Sequence, residues 1–332
     1  MTKLEEEDIK KVAELNYRWD CLSNKTILIS GGTGFIGQFL INVIKYRNKY
    51  FNNNIKVVSC SRHGLPNEAN IEYVEHDVTK PFKIDRKIDY IIHLASNTHP
   101  KQYAVDPVGT IITYLYGTYN LLQLAVSQKT SRFLLASSVE VYGEGNNIPL
   151  SEAYSGYIDC NTARAGYNET KRVSESLSQS FISQYGIDCV IARLARCFGA
   201  DRKEDSKAMA QFMNCAVRGE DIVLKSKGDQ RFSFCYIADA VSGLLKILLE
   251  GKCGGAYNIA GDDEGLTLGN YAEYIASLAE KKVVYNIENN ESVSKASYAV
   301  LDCTKLKDIG WNPIYSVRDA LNRTYKILSE RK

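Results

Sequence analysis

The chain carries almost no excess charge of either sign: 41 lysines and arginines stand against 39 aspartates and glutamates in 332 residues, a net charge of +2. Such a balance projects no long-range field, and no basic block occurs, so neither nucleic acid nor a membrane surface is an expected partner. Long apolar runs are missing too. The longest are strand-sized, and the segment Met1 to Lys11 is charged instead of apolar, which leads us to expect a soluble, cytoplasmic protein. Nine cysteines occur without one Cys-x-x-Cys pair, which argues against both a zinc site and a disulfide framework. We expect reduced, mostly buried thiols and no metal. Internal repeats and low-complexity tracts are absent.

What the chain does have is an apolar run, Thr26 to Ser30, that breaks into Gly31-Gly32-Thr33-Gly34-Phe35-Ile36-Gly37. Gly31 permits a tight turn out of a buried strand, Gly34 lets backbone approach a pyrophosphate, and Gly37 allows the next helix to pack closely. The amides at the start of that helix then face the anion. Gly31, Thr33, Gly34, Phe35, Ile36 and Gly37 are therefore candidate dinucleotide contacts.

The pattern then alternates. Strands are predicted near 26–30, 55–61, 71–77, 88–96, 132–138 and 188–195, with helices at 35–50, 106–128 and 163–185. Such alternation predicts an α/β fold with a doubly wound parallel sheet. Before it, Leu4, Ile9, Val12, Leu15 and Trp19 form a helical stripe, predicting an amphipathic helical extension over 1–24 docked on the main body. After Phe198 the apolar runs shorten, but 232–248 and 256–260 read as returns to the sheet. This gives a dinucleotide-binding domain of 25–197 plus 230–262 and a smaller, discontinuous carboxyl-terminal substrate lobe of 198–229 plus 263–332.

In this fold a carboxylate closing the second strand usually binds the adenosine ribose and selects the unphosphorylated cofactor. Here no Asp or Glu occurs between Gly31 and Asn67, and the second strand ends in Ser61-Arg62. A hydroxyl followed by a guanidinium suits a 2′-phosphate, so NADP is expected in preference to NAD. The competing reading makes Arg62 a solvated loop residue. Asp77-Val78 closes the third strand, where the carboxylate either accepts from the adenine amino group or caps a turn.

Of the 22 tyrosines only Tyr167 has a lysine, Lys171, four residues on. That offset puts both on one face of a helix, although spacing alone also describes a surface pair. Placement gives the pair meaning, because the strand ending in Leu135-Ala136-Ser137-Ser138 precedes it, and ligands bind at that carboxyl edge of an open sheet. A phenol titrates near pH 10, but an adjacent ammonium and a cationic nicotinamide ring stabilise phenolate. Tyr167 can then act as base, Lys171 can supply the charge and bind the nicotinamide ribose, and Ser138 can orient a substrate alcohol.

Together these residues resemble the extended short-chain dehydrogenase/reductase family, in the branch that modifies nucleotide-activated sugars. The likeness runs from Thr26 to Pro313. Besides the glycines and the Tyr167/Lys171 pair, it includes His93-Leu94-Ala95-Ser96, Ser137 to Gly143, Arg231 to Asp239, Tyr257 to Gly261 and Gly310 to Pro313. The resemblance implies a Rossmann lobe, with Leu94, Ala95 and Ser96 joining the cofactor contacts. It also implies a small lobe holding a nucleoside diphosphate sugar, with Arg231 on its phosphates, and a homodimer formed through helices 106–128 and 163–185.

Within the branch the chain is most similar to UDP-glucuronate decarboxylases, through Leu135-Ala136-Ser137, Glu140 to Gly143 and Lys171-Arg172-Val173. It departs from them in carrying no arginine between Ser294 and Cys303, and from the sugar 4,6-dehydratases in having Val139-Glu140 in place of an Asp-Glu pair. Neither activity carries over unchanged.

Glu140, two residues after Ser138 and on its side of an extended segment, is a candidate for removing a proton beside a transient ketone. An exposed loop glutamate is the alternative. Arg196 stands where relatives have a substrate-binding asparagine, and suits an unusually anionic ligand or a pairing with Asp201. In the loop holding Thr98 and Lys101, His99 is a candidate substrate contact.

Three functions remain open on these residues. One is an enzyme that oxidises a sugar carbon and later returns the hydride, as in epimerisation or elimination. Another is a net NADPH-dependent reductase of a nucleotide-linked ketone or ketose. The third is a non-catalytic dinucleotide sensor.

Overall fold

The computed structural model describes residues 1–96, 105–201, 207–262, 265–287 and 298–331. The strands are β1 Thr26–Ser30, β2 Lys56–Ser61, β3 Ile71–Glu75, β4 Tyr90–His93, β5 Arg132–Ser138, β6 Cys189–Leu194, β7 Arg196–Phe198, β8 Ile222–Leu224, β9 Arg231–Phe232, β10 Phe234–Tyr236, β11 Ala256–Ile259, β12 Val283–Tyr285 and β13 Tyr298–Ala299. The helices are α1 Lys3–Ala13, α2 Phe35–Phe51, α3 Pro107–Gln128, α4 Ala165–Tyr185, α5 Ala208–Arg218, α6 Ile237–Glu250, α7 Leu268–Leu278, α8 Thr304–Lys307 and α9 Val317–Glu330.

Seven strands form one sheet in the order β11-β6-β5-β4-β1-β2-β3, every pair parallel. The period-2 alternation of side chains divides its residues between two cores. Ile27, Ile29, Val57, Ile92 and Leu134 face the layer of α1, α2 and α6, whereas Leu28, Val58, Ile91, Phe133 and Leu135 face α3 and α4. Burial on both faces explains why these strands read as continuous apolar runs. The doubly wound parallel sheet expected from the sequence is the observed fold.

Some segments differ from expectation. The strands predicted at 71–77 and 88–96 end at Glu75 and His93. Residues 232–248 are not a return to the sheet: only Phe234–Tyr236 is extended, pairing with β7 outside the main sheet, and the rest is α6. Every residue of α6 from Ile237 to Leu249 is buried, although Asp239, Ser242 and Lys246 recur at helical spacing along one face, a period that the sheet assignment passed over. Residues 256–260 do return, as β11 on the sheet edge. All nine thiols are free, but only Cys60, Cys189, Cys235 and Cys303 are buried, while Cys160 and Cys253 are exposed.

At the amino terminus α1 opens with a capping box between Thr2 and Glu5 and buries Ile9, Val12 and Ala13. At the other end of the chain, the pairs β8·β12 and β9·β13 join residues 222–232 to 283–299. No helix among the described residues is long and apolar enough to cross a membrane.

Candidate active site

β1 ends at Ser30, and Gly31 takes φ +74°, donating its amide to the Cys60 carbonyl at 2.8 Å. A β-carbon on Gly31 would stand 2.9 Å from the Ala95 backbone, and one on Gly37 would stand 2.5 Å from the Gly31 carbonyl oxygen. The first glycine therefore serves the turn and the last lets α2 close on it. At Gly32, which the three-residue spacing passes over, a β-carbon would meet the side chain of Ser59, its Oγ at 2.2 Å. Gly34 caps α2 without a side chain, which leaves the first-turn amides, around Phe35, Ile36 and Gly37, open to an anion. Beside them, Ser96 Oγ is buried without a hydrogen-bond partner among the described residues. A glycine cradle, open helix amides and an orphan hydroxyl fit a dinucleotide.

At the far end of that cradle, Ser61 Oγ donates to the His63 carbonyl at 2.7 Å and Arg62 is exposed. Asp77 Oδ1 accepts the Thr79 amide at 2.9 Å, a turn cap, and this bond, with smaller help from Lys80 and Arg62, holds the carboxyl below its ordinary range. Val78 is buried, its carbonyl accepting from Asn120 Nδ2. Linear reading of the second strand passed over Glu75, which register sets beside Ser61.

The chemistry-bearing residues gather where β5 ends. Tyr167 and Lys171 are both buried on α4, and Lys171 Nζ donates to the Ala136 carbonyl at 2.9 Å, two residues before Ser138. The ammonium lies 5.6 Å from the Tyr167 ring centroid and 3.4 Å from that of Tyr114. Burial pushes its pKa well below the usual lysine value, with Glu175 one turn on pulling it back up. Ser138 is half-buried, its Oγ accepting the Glu140 amide at 3.3 Å at the start of a 3₁₀ turn, Val139–Tyr142.

Glu140 is not a free loop carboxylate. Its Oε2 accepts from Asn168 Nδ2 at 3.0 Å, and the same nitrogen reaches the Glu140 carbonyl, so the turn is tied to the residue after Tyr167. Arg196 Nη2 stands 3.3 Å from Glu140 Oε1, its guanidinium 4.0 Å from the Phe232 ring centroid. Arg231, one residue before Phe232, is exposed on β9. His99, Thr98 and Lys101 lie outside the described residues.

Several groups escaped sequence reasoning. Ser137 Oγ donates to Glu175 Oε1 at 2.5 Å, Arg193 grips Glu175 at 2.7 Å and reaches Tyr142 Oη at 3.0 Å, and Tyr142 donates to Asn258 Oδ1 at 2.6 Å. This buried polar chain runs from β5 through α4 and β6 to β11, and a lone Glu or Arg in a strand or helix carries no sequence signal for it. A cleft of about 380 Å³ beside it is lined by Tyr154, Arg172, Gln179 and Arg193 and by none of the expected site residues. Among the described residues no three His, Cys, Asp or Glu side chains cluster as metal ligands.

A parallel α/β sheet with a glycine turn after its first strand is the architecture of a dinucleotide-binding protein. The chain belongs to the NAD dependent epimerase/dehydratase family, which matches residues 27–260. It is 35% identical over 316 residues to UDP-glucuronic acid decarboxylase 5 of Arabidopsis thaliana, covering 91% of this chain and 88% of that protein. It is 31% identical to UDP-glucuronic acid decarboxylase 1 of Danio rerio, over 92% and 73% of the two chains.

Among solved structures, UDP-glucose 4-epimerase of Thermotoga maritima matches with a TM-score of 0.78 at 21% identity, over 92% of this chain and 99% of that one. The dTDP-glucose 4,6-dehydratase DesIV of Streptomyces venezuelae, solved with NAD bound, matches at 0.76 and 22% identity, over 92% and 97%. At these identities the structures establish the fold. The resemblance to the nucleotide-sugar branch of the extended short-chain dehydrogenases therefore stands.

Proposed function

We propose that the protein is a nucleotide-sugar-modifying oxidoreductase of the epimerase/dehydratase type, with hydride transfer at a sugar carbon and Tyr167 as acid/base. The observation that carries this reading is the Lys171 ammonium, buried beside Tyr167 and bonded to the end of β5. Relatives named as UDP-glucuronic acid decarboxylases support a nucleoside diphosphate sugar as substrate. The sugar would lie between the lobe of 25–197 plus 230–262 and the lobe of 198–229 plus 263–332, with Arg231 toward its phosphates. The helical extension over 1–24 completes this division of the chain.

In this reading Gly31, Thr33, Gly34, Phe35, Ile36 and Gly37 hold the pyrophosphate, Asp77 and Val78 flank the adenine, and Leu94, Ala95 and Ser96 line the middle of the cofactor. When bound there, a nicotinamide dinucleotide supplies a hydride acceptor that can also return the hydride. Ser138 Oγ orients the substrate hydroxyl, and Tyr167 Oη takes its proton as the carbon gives up hydride. The Lys171 ammonium lowers the phenol's affinity for that proton by opposing charge. Glu140, held in place by its hydrogen bond from Asn168 and its pairing with Arg196, accepts a proton from the carbon beside the resulting ketone. Arg196 thus acts first on Glu140, and binds an anionic sugar substituent through the same guanidinium.

Ser61 and Arg62 favour NADP, since the end of β2 offers no carboxylate to repel a 2′-phosphate; Glu75 opposite Ser61 is the charge that Arg62 must offset. Val108, Tyr116, Tyr119, Val173 and Tyr185 leave exposed apolar surface on α3 and α4, which supports a homodimer through those helices. The reading is tested by incubating the protein with a panel of nucleotide sugars, with and without added NADPH, and following product mass together with nicotinamide absorbance. Product formed without net cofactor consumption is expected. Stoichiometric NADPH consumption would make it a reductase, and binding without product a sensor.

A further inference from the structure

Lys171 is approached by more than the residues that the reaction uses. On its own helix stand Tyr167 and Glu175, the latter held by Ser137 and Arg193. From β5 comes the Ala136 carbonyl, and from α3 the face of Tyr114, 3.4 Å from the ammonium and only 2% exposed. Tyr114 Oη donates to the same Ala136 oxygen, so its ring is locked in place by the acceptor that Lys171 uses.

Behind the ring, the imidazole of His93 on β4 stacks at 5.2 Å and 15°. Its Nδ1 meets Ser30 Oγ at 2.6 Å, and Ser30 Oγ also accepts the Ala95 amide at 3.3 Å, directly under the glycine turn. Complete burial, with the nearby Lys171 charge adding to it, takes His93 down to about 3, so that ring is neutral. A neutral imidazole, a phenol ring and an ammonium thus form a stack running from the cofactor turn to the catalytic helix.

We propose that Tyr114 is a positioning residue for this reaction: its ring is the platform that fixes the charged Lys171 ammonium against Ala136 and beside Tyr167. An aliphatic side chain would fill the same space but offer the ammonium nothing electronegative. An ammonium has three donors, and the Ala136 carbonyl takes one. The negative face of an aromatic ring supplies a further partner in a site that excludes water, where such contacts are strongest. Through Lys171, Tyr114 then sets how readily Tyr167 gives up its proton. The inference rests on the reading of Tyr167 and Lys171 given above.

The test uses cofactor-free protein labelled with [13Cζ]tyrosine, in which Tyr167→Phe assigns the Tyr167 resonance and its titration midpoint is read by NMR. Tyr114→Phe keeps the ring and is expected to keep the midpoint. The same variant made with pentafluorophenylalanine in place of that phenylalanine keeps the shape, and hence the fold, but reverses the ring's electrostatics. It is expected to raise the midpoint by about one pH unit. Lys171→Met serves as the control and is expected to raise it further. A midpoint unmoved by the fluorinated ring but moved by Lys171→Met would overturn the role of Tyr114 alone. A midpoint unmoved by Lys171→Met would overturn the Tyr167/Lys171 couple, and Tyr114 with it.

Discussion

Burial works against the charge that the proposed chemistry needs at Lys171, and the Glu175 carboxylate works for it. A lysine with a lowered pKa is charged below that pKa and neutral above it, so the alkaline limb of kcat should fall at a pH below the ordinary lysine value of about 10.4. Glu175→Gln removes the opposing charge and should move that limb to lower pH still, as read from kcat over a pH series; an unmoved limb would take Glu175 out of the account. At the other end of the cofactor cleft, Arg62→Ala should weaken NADP about tenfold, the loss of one charge-assisted bond, and leave NAD unchanged in a fluorescence titration. Equal loss for both would defeat the 2′-phosphate assignment. Tyr167 and Lys171 were legible because their offset and their place after a strand carry meaning. Tyr114 was not, because an aromatic residue inside a helix reads as packing until its neighbours in space are known.

Among the elements, the junction of β1 with α2 depends on an approach that one methyl group would prevent. Gly37→Ala places a carbon 2.5 Å from the Gly31 oxygen and 2.6 Å from the Gly32 α-carbon, both backbone atoms with no rotamer to yield. Overpacking of this kind costs about 1–3 kcal/mol. The variant should melt at lower temperature and lose dinucleotide affinity, whereas wild-type behaviour in both would show that α2 need not close on the turn. The junction was legible because turn, strand and helix each left a local signature. α6 was harder to read: Asp239, Ser242 and Lys246 hold a helical spacing, but the apolar runs between them are short enough to pass for strand. Glu75 escaped for another reason, since adjacency across a parallel sheet joins residues far apart in the chain.

Across the whole molecule, the two chain ends are fastened together over buried carboxylates. Asp8 on α1 accepts from Tyr236 at 2.5 Å, Tyr315 at 2.6 Å and Arg323 at 2.8 Å, joining the first helix to β10 and α9. Nearby, Asp239 on α6 accepts the Ile314 amide, and burial, with Asp8 adding to it, raises its pKa from 3.8 to about 7. A carboxyl whose folded pKa is raised favours the fold while protonated. Its contribution is therefore fully present below about pH 4 and is lost as pH rises through about 7.

Urea unfolding between pH 5 and pH 8 should show the stability of Asp239→Asn rising relative to that of the wild type as pH increases, because His93, neutral in the fold, adds the same opposite slope to both. An equal slope in both would mean that Asp239 ionises in the fold as it does unfolded. The parallel sheet was legible from alternation alone, but this fastening was not, because Asp8 meets partners more than 200 positions away in the chain.

The central claim is that Tyr167, Lys171 and Ser138 move a proton while hydride leaves a sugar carbon. It is tested most directly by rapidly mixing dinucleotide-loaded protein with a substrate found in the panel and watching the reduced-nicotinamide absorbance. The account predicts a transient rise and fall in the wild type, and in Tyr167→Phe a bound cofactor with no rise at all. A rise of wild-type rate and amplitude in that variant would contradict it.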